Sequence, residues 1–287
     1  MDSFIADDGE RLHLRIVGTG TPLILLHGWT ASHAAWNPLL EGLQQHHRVY
    51  CPDARGHDGR ALSVTRTPDV GRLARDVLNL MDHYELQQAA VAGHSMGALT
   101  LWQFIRDHGC RRFSHLCIID QSPKLTTDET WANGIYGDFD SLRSQRLRDE
   151  LRSDFAEAVL RLSAHGLNAR SRETYDRDSR GWQRSRKNLR RFETGPLIAI
   201  WESLVAADFR DVLAQIDIPT LLVWGAASNF YTLETAAFLL ARIPSARLEV
   251  YEGADHSPQS QHGERFVGEL IALIAGNAAC PLSRTGN

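Results

Sequence analysis

Four short apolar runs restrict the fold of this chain more than any other feature: PLILLHG, AAVAGHS, LCIID and TLLVWG. Each is apolar at successive positions instead of alternate ones, as in residues 23–26. A strand with that pattern must be covered on both faces. Between the runs the apolar period changes. After Pro68-Asp69, residues Val70, Leu73, Val77, Leu80 and Met81 recur at helical spacing and predict a helix through Tyr84. Strands separated by helices of this length give right-handed βαβ units and a parallel sheet.

The alternation extends to LHLRIV and RVYCPD near the start and to RLEVYEG near the end. Further helices are expected over 34–45, 95–109, 233–242 and 264–275. From Ser122 to about residue 206 the strands stop, and Phe155, Val159, Leu160 and Leu162 mark an amphipathic helix. A structureless loop of that length does not fit inside a compact domain. The economical organisation is one α/β core, 1–121 and 207–276, interrupted by a helical cap, 122–206. Residues 277–287 read as a flexible tail.

The net charge of −4 and the charged share of 23% give no general attraction for nucleic acid or anionic membranes. The start, MDSFIADDGER, lacks the basic and apolar parts of a signal peptide, and no apolar run approaches the ~20 residues of a membrane span. Cys51, Cys110, Cys117 and Cys280 show no CxxC spacing. Reduced thiols in the cytoplasm are expected, with no metal and no cofactor.

Within AAVAGHSMGAL, Ser95 lies between a strand and a helix, inside Gly93-His94-Ser95-Met96-Gly97. Small residues allow a tight turn that lifts the serine out at the C-terminal edge of the sheet. A serine there can also simply cap the helix. A hydroxyl becomes a nucleophile only when a base takes its proton. Of 13 histidines, His256 follows the last strand and should reach the same edge. His262 is expected on the surface, and His94 should turn away from Ser95. Two amides can hold an oxyanion: Trp29, just after the strand LILL, and Met96, just after the serine.

LLHGW, DARGHDG, VAGHSMGAL, VWG and GADHS occur in this order over nearly the whole chain. In them the sequence resembles the α/β-hydrolase family, in its serine esterase and haloperoxidase-like branch. The resemblance implies an eight-stranded, mostly parallel sheet with helices on both faces, an inserted cap, and Ser, acid and His on three loops. It also implies that residues 53–59 are structural, so Asp53 and His57 are not catalytic. Most such relatives carry the acid after the seventh strand. Here that stretch reads GAASNFYTLE, with Ser228 and Asn229 where Asp is usual. Some members carry it after the sixth strand, where LCIID ends at Asp120. Asp120 is therefore the expected acid, although an Asp before Pro123 also starts turns. Asn229 is left as a neutral hydrogen-bond partner or pocket residue.

Trp29, Trp131, Tyr136, Phe139, Phe155 and Trp201 are candidates for an apolar acyl pocket, or for the hydrophobic core. Residues 170–191 hold nine basic side chains against three acidic ones, either a solvated face or a docking surface for an anionic carrier. The expected activity is hydrolysis of a small carboxylic ester or thioester through an acyl-enzyme. The alternatives are a cofactor-free perhydrolase with the same residues, and a non-catalytic binding protein on this fold. Epoxide hydrolase and dehalogenase relatives use Asp where this chain has Ser95.

Overall fold

The computed structural model describes residues 1–57, 59, 61–63 and 67–276; the expected tail and Cys280 lie outside the described residues. Eight strands form one sheet: β1 (Asp2–Ile5), β2 (Arg11–Val17), β3 (Thr21–Leu26), β4 (His47–Pro52), β5 (Ala89–His94), β6 (Phe113–Ile119), β7 (Thr220–Gly225) and β8 (Ala246–Tyr251). Their order is β1-β2-β4-β3-β5-β6-β7-β8. β2 runs antiparallel to both β1 and β4, and every other neighbouring pair is parallel. β1, which apolar patterning does not reveal, is a four-residue edge strand held by β2.

The continuous apolar runs have the double-sided burial they require. Leu23 and Leu25 of β3 join Cys117, Ile119 and Val223 on one face. Trp36, Phe266 and Leu270 from α1 (Asn37–Leu43), its preceding turn and α11 (Gly263–Ile274) cover them. Ile24 and Leu26 point the other way, with Leu116, Ile118 and Leu222, against Leu73, Leu99 and Trp102 of α2 (Val70–His83) and α3 (Met96–His108). Burying each such side chain stabilises the fold by about 1.5–3 kcal/mol. Asp69 starts α2 by accepting the Arg72 N–H at 2.6 Å. The helix expected over 34–45 is split, with a 3-10 turn at His33–Trp36 leading into α1.

Between β6 and β7 come α4 (Ser141–Ser153), α5 (Phe155–Ala164), α6 (Ala169–Asp176), α7 (Arg180–Leu189) and α8 (Thr194–Ala206). The ends of this segment lie side by side: Lys124 bridges Asp208, and the Phe209 N–H donates to Pro123 O at 2.9 Å. A long insertion can therefore leave and re-enter the sheet without disturbing its register. α9 (Leu233–Leu240) and α10 (Pro258–Gln261) follow β7 and β8. Among the described residues no helix is long and apolar enough to cross a membrane.

Candidate active site

Ser95 occupies the turn between β5 and α3 with φ +53° and ψ −116°, a left-handed conformation costly for a non-glycine residue. Its neighbours explain how the turn closes. A Cβ on Gly93 would sit 2.5 Å from the Gly97 carbonyl carbon, and one on Gly97 would sit 2.4 Å from Leu26 O. Only glycine allows strand, elbow and helix to approach so closely. The Ser95 N–H donates to Ile119 O at 3.2 Å, tying the elbow to the end of β6.

Asp120 follows β6 directly and is also left-handed, at φ +46°. Its backbone N–H is fixed to Val223 O at 2.9 Å, and the residue is fully buried. Three donors meet its carboxylate. Gly225 N–H reaches Oδ2 at 2.9 Å, Ser228 Oγ–H reaches Oδ1 at 2.7 Å, and His256 Nδ1 lies 3.0 Å from Oδ1. A carboxylate only accepts, so Nδ1 carries the proton and Nε2 is left as the basic nitrogen. Ser95 and His256 both line one cavity of about 270 Å³, together with Trp29 and Met96.

The backbone of His256 is held as firmly as its ring. Its N–H donates to Asn229 Oδ1 at 3.3 Å, and its carbonyl accepts from His94 Nε2 at 2.8 Å. Against the expectation that His94 turns away from Ser95, its ring lines the same cavity, 4.9 Å from the His256 ring centre. Burial lowers the His94 pKa to about 3, with proximity to His256 adding to the effect, so the ring stays neutral and donates through Nε2.

His27 directly follows β3. Burial first, then the neighbouring His57, lowers its pKa to about 4. Its Nε2 accepts the Ala54 N–H at 2.9 Å, so Nδ1 carries the proton and donates to Gly28 O at 2.8 Å. That carbonyl belongs to the peptide whose N–H is Trp29's. In a planar trans peptide, fixing one fixes the other. His27 and His94 were not legible as site residues, because neither contributes the reacting atom. The only trace in the sequence is their adjacency to Gly28 and Ser95. Residues 53–57 sit behind this loop, with Asp53 accepting from His33 N–H at 2.7 Å and His57 buried beside the His27 ring. His262 is exposed.

The expected lining residues separate into three groups. Trp29 and Trp201 line the cavity, their rings 4.8 Å apart, and Trp29 Nε1 donates to Leu197 O of α8 at 3.0 Å. Phe155 packs edge-on against Trp29, Phe139 against Trp201, and Tyr136 stacks on Phe230, so these three stand one layer behind the wall. Trp131 faces a different surface groove, beside Phe238 and Arg210. Asn229 is not in the wall either: its carboxamide is used up by the His256 N–H and by Ser163 O and Ser171 Oγ. The rest of the apolar wall is aliphatic, from Leu125, Ile135, Val159, Leu162 and Leu204, with Phe230 and Tyr231 beside His256. Aliphatic side chains from α5 and α8 carry no sequence signal that separates pocket from core. Among the described residues no group of three or more His, Cys, Asp or Glu side chains is arranged to hold a metal ion.

Known proteins agree with this architecture. The family described as the alpha/beta hydrolase fold matches residues 21–263. A non-heme haloperoxidase of Rhodococcus erythropolis is 27% identical, covering 94% of this chain and 97% of that protein. A pimeloyl-[acyl-carrier protein] methyl ester esterase of Vibrio campbellii is 28% identical over 92% of this chain and 98% of its own length. Among solved structures, an esterase from Exiguobacterium antarcticum superposes with a TM-score of 0.81 at 21% identity, covering 96% of this chain and all of that one.

Proposed function

The chain belongs to the α/β-hydrolase family, and on that premise we propose that it is a serine hydrolase of carboxylic esters or thioesters, with residues 122–206 as its cap. Ser95 Oγ attacks the ester carbonyl carbon while its proton passes to His256 Nε2. The N–H groups of Trp29 and Met96 hold the oxyanion. The intermediate collapses, the alcohol or thiol leaves with the proton from His256, and the acyl group stays on Ser95. Water, deprotonated by the same histidine, then releases the acid. Asp120 keeps the proton on Nδ1 and stabilises the imidazolium. The observation that carries this reading is the Asp120 carboxylate 3.0 Å from His256 Nδ1, in a site where Ser95 stands on an elbow.

The largely apolar wall favours a small, uncharged acyl group, since about 270 Å³ falls just below the usual range of ligand pockets, roughly 300–1,000 Å³. Three described cysteines are free thiols, which suits the cytoplasm. A fluorophosphonate probe tests the reading. Wild type should be labelled, Ser95→Ala should not, and the variant should lose ester turnover by several orders of magnitude. A folded wild type that neither labels nor turns over esters would instead mean a binding protein.

Two specific readings of the acyl partner have support. The haloperoxidase relative favours perhydrolysis, in which hydrogen peroxide replaces water as acyl acceptor. Peracid formation from a carboxylic acid and peroxide measures it. The relative that acts on a carrier-bound ester draws attention to α7. Residues 179–192 contain six basic and no acidic side chains. Arg180, Arg184 and Lys187 are exposed and fall within about 60° on one face of α7, with the exposed Arg191 in the turn just after it. Arg191 and Asn188 line an outer groove that shares Thr30 and Ala31 with the active-site cavity. An ester on an acidic carrier would therefore be steered to the cavity mouth. Arg184→Glu with Lys187→Glu should raise KM for that ester about tenfold and leave a free neutral ester unaffected.

A further inference from the structure

We propose that Asn229 is a positioning residue that couples the seating of the cap to the alignment of His256. The proposal rests on the serine-hydrolase reading and adds to it the control of the base.

Asn229 stands in the loop after β7, buried, and its carboxamide faces two parts of the molecule. Oδ1 accepts the His256 N–H at 3.3 Å. Nδ2 donates to Ser163 O at 2.9 Å and to Ser171 Oγ at 2.7 Å, in α5 and α6. An acceptor on one side and two donors on the other is the pattern of a carboxamide. Aspartate at the same length has no donor, and alanine has neither function. A carboxamide therefore serves both sides at once, in the stretch where Ser228 and Asn229 stand in place of the usual Asp.

The surrounding backbone makes this a latch. The Leu167 N–H donates to Asn229 O at 2.8 Å, and Asn168 Nδ2 donates to Ala227 O at 2.7 Å. Asn168 also caps α6 through Oδ1, so the start of that helix and its attachment to the core are one structure. A Cβ on Gly166 would fall 2.0 Å from Asn229 O, so only glycine lets the α5–α6 connection close on this loop. Four hydrogen bonds thus join 163–171 to 227–229, and a fifth passes from the same asparagine to His256.

If the α5–α6 connection lifts, both donors of Asn229 lose their acceptors, and a buried carboxamide with unmet donors reorients toward other partners or water. The His256 backbone then loses the bond to its N–H and keeps His94 at its carbonyl, while Asp120 alone holds the ring at Nδ1. The base is fully aligned when the cap is seated, so the chemical step reads the state of a segment that never touches the reacting atoms.

Activity, labelling and folding of four variants test this. Asn229→Ala should lower kcat about tenfold with KM within twofold, because one positioning hydrogen bond is lost and the wall is unchanged. Its fluorophosphonate labelling rate should fall in parallel, since the probe needs the base but little of the acyl pocket. Asn229→Asp keeps the acceptor for His256 and removes both cap donors, so it should match Asn229→Ala. Ser171→Ala, which lies outside the cavity, should lower kcat two- to threefold. The Ser171→Ala/Asn229→Ala double variant should be no slower than Asn229→Ala alone. Wild-type kcat and labelling in folded Asn229→Ala would overturn the proposal, as would Asn229→Asp behaving as wild type or a change confined to KM. If wild type itself neither labels nor hydrolyses esters, the serine-hydrolase reading has failed, which these comparisons keep separate.

Discussion

The ends of β6 and β7 are neighbours in the sheet and have taken opposite tasks. β6 ends in Asp120, fully buried, left-handed and met by three donors around one carboxylate. β7 ends in Gly225 and a loop without an acid, whose Gly225 N–H and Ser228 hydroxyl serve the carboxylate next door, while Asn229 turns to the cap. Two adjacent parallel strands finish at the same edge, so either can present a group to the one imidazole. The β7 loop surrounds the Asp120 carboxylate on one side and meets α5 and α6 on the other.

The sharpest way to break this contrast is Asp120→Asn. The shape is kept, but the amide cannot accept from all three donors, and His256 is no longer held with its proton on Nδ1. kcat should fall by roughly 10³ to 10⁴ with folding preserved. A variant that keeps most of its activity would show that the β6 end is only a turn.

Acid should weaken the fold through its buried histidines. Burial lowers His27 and His57 to about 4 and His94 to about 3, below an ordinary value near 6.5. Between pH about 6.5 and 4 the unfolded chain binds protons that the folded one does not. The stability due to neutral burial is complete above pH about 6.5 and is lost as pH falls. The slope is at most ~1.4 kcal/mol per pH unit for each histidine. Urea midpoints at pH 7 and pH 5 measure it, and equal midpoints would contradict these assignments.

Ser228→Ala sharpens the comparison more gently. It removes one donor from Asp120 Oδ1 and leaves Gly225 and His256 in place. About a tenfold loss of kcat is expected, or about 1.4 kcal/mol. A loss as large as that of Asp120→Asn would mean that the β7 loop carries more of the acid's function than its geometry assigns.

The smallest effect belongs to Trp131, which lies in another groove. Trp131→Phe should change kcat/KM by less than twofold, whereas Trp201→Ala, in the wall, should change the preference among acyl lengths. An acyl-length panel on both variants distinguishes wall from packing.

Much of this was written locally in the chain. Continuous apolar runs force strands buried on both faces, and residues such as Leu23 to one side and Ile24 to the other follow from a period of two. Gly93 and Gly97 around Ser95 permit the elbow because only a missing Cβ clears the contacts. The fold and the family were therefore legible, as was the placing of Ser95, Asp120 and His256 at strand ends on one edge. The tertiary structure decided what those neighbours do to one another. Whether Phe155 is wall or backing depends on which side of Trp29 it meets, and periodicity alone does not encode that. His27, His94 and Asn229 hydrogen-bond to backbone atoms of Gly28 and His256, which are distant in sequence or carry no residue identity. Local sequence fixes which groups a chain can offer at an edge, and only the closing of one segment on another fixes which groups meet.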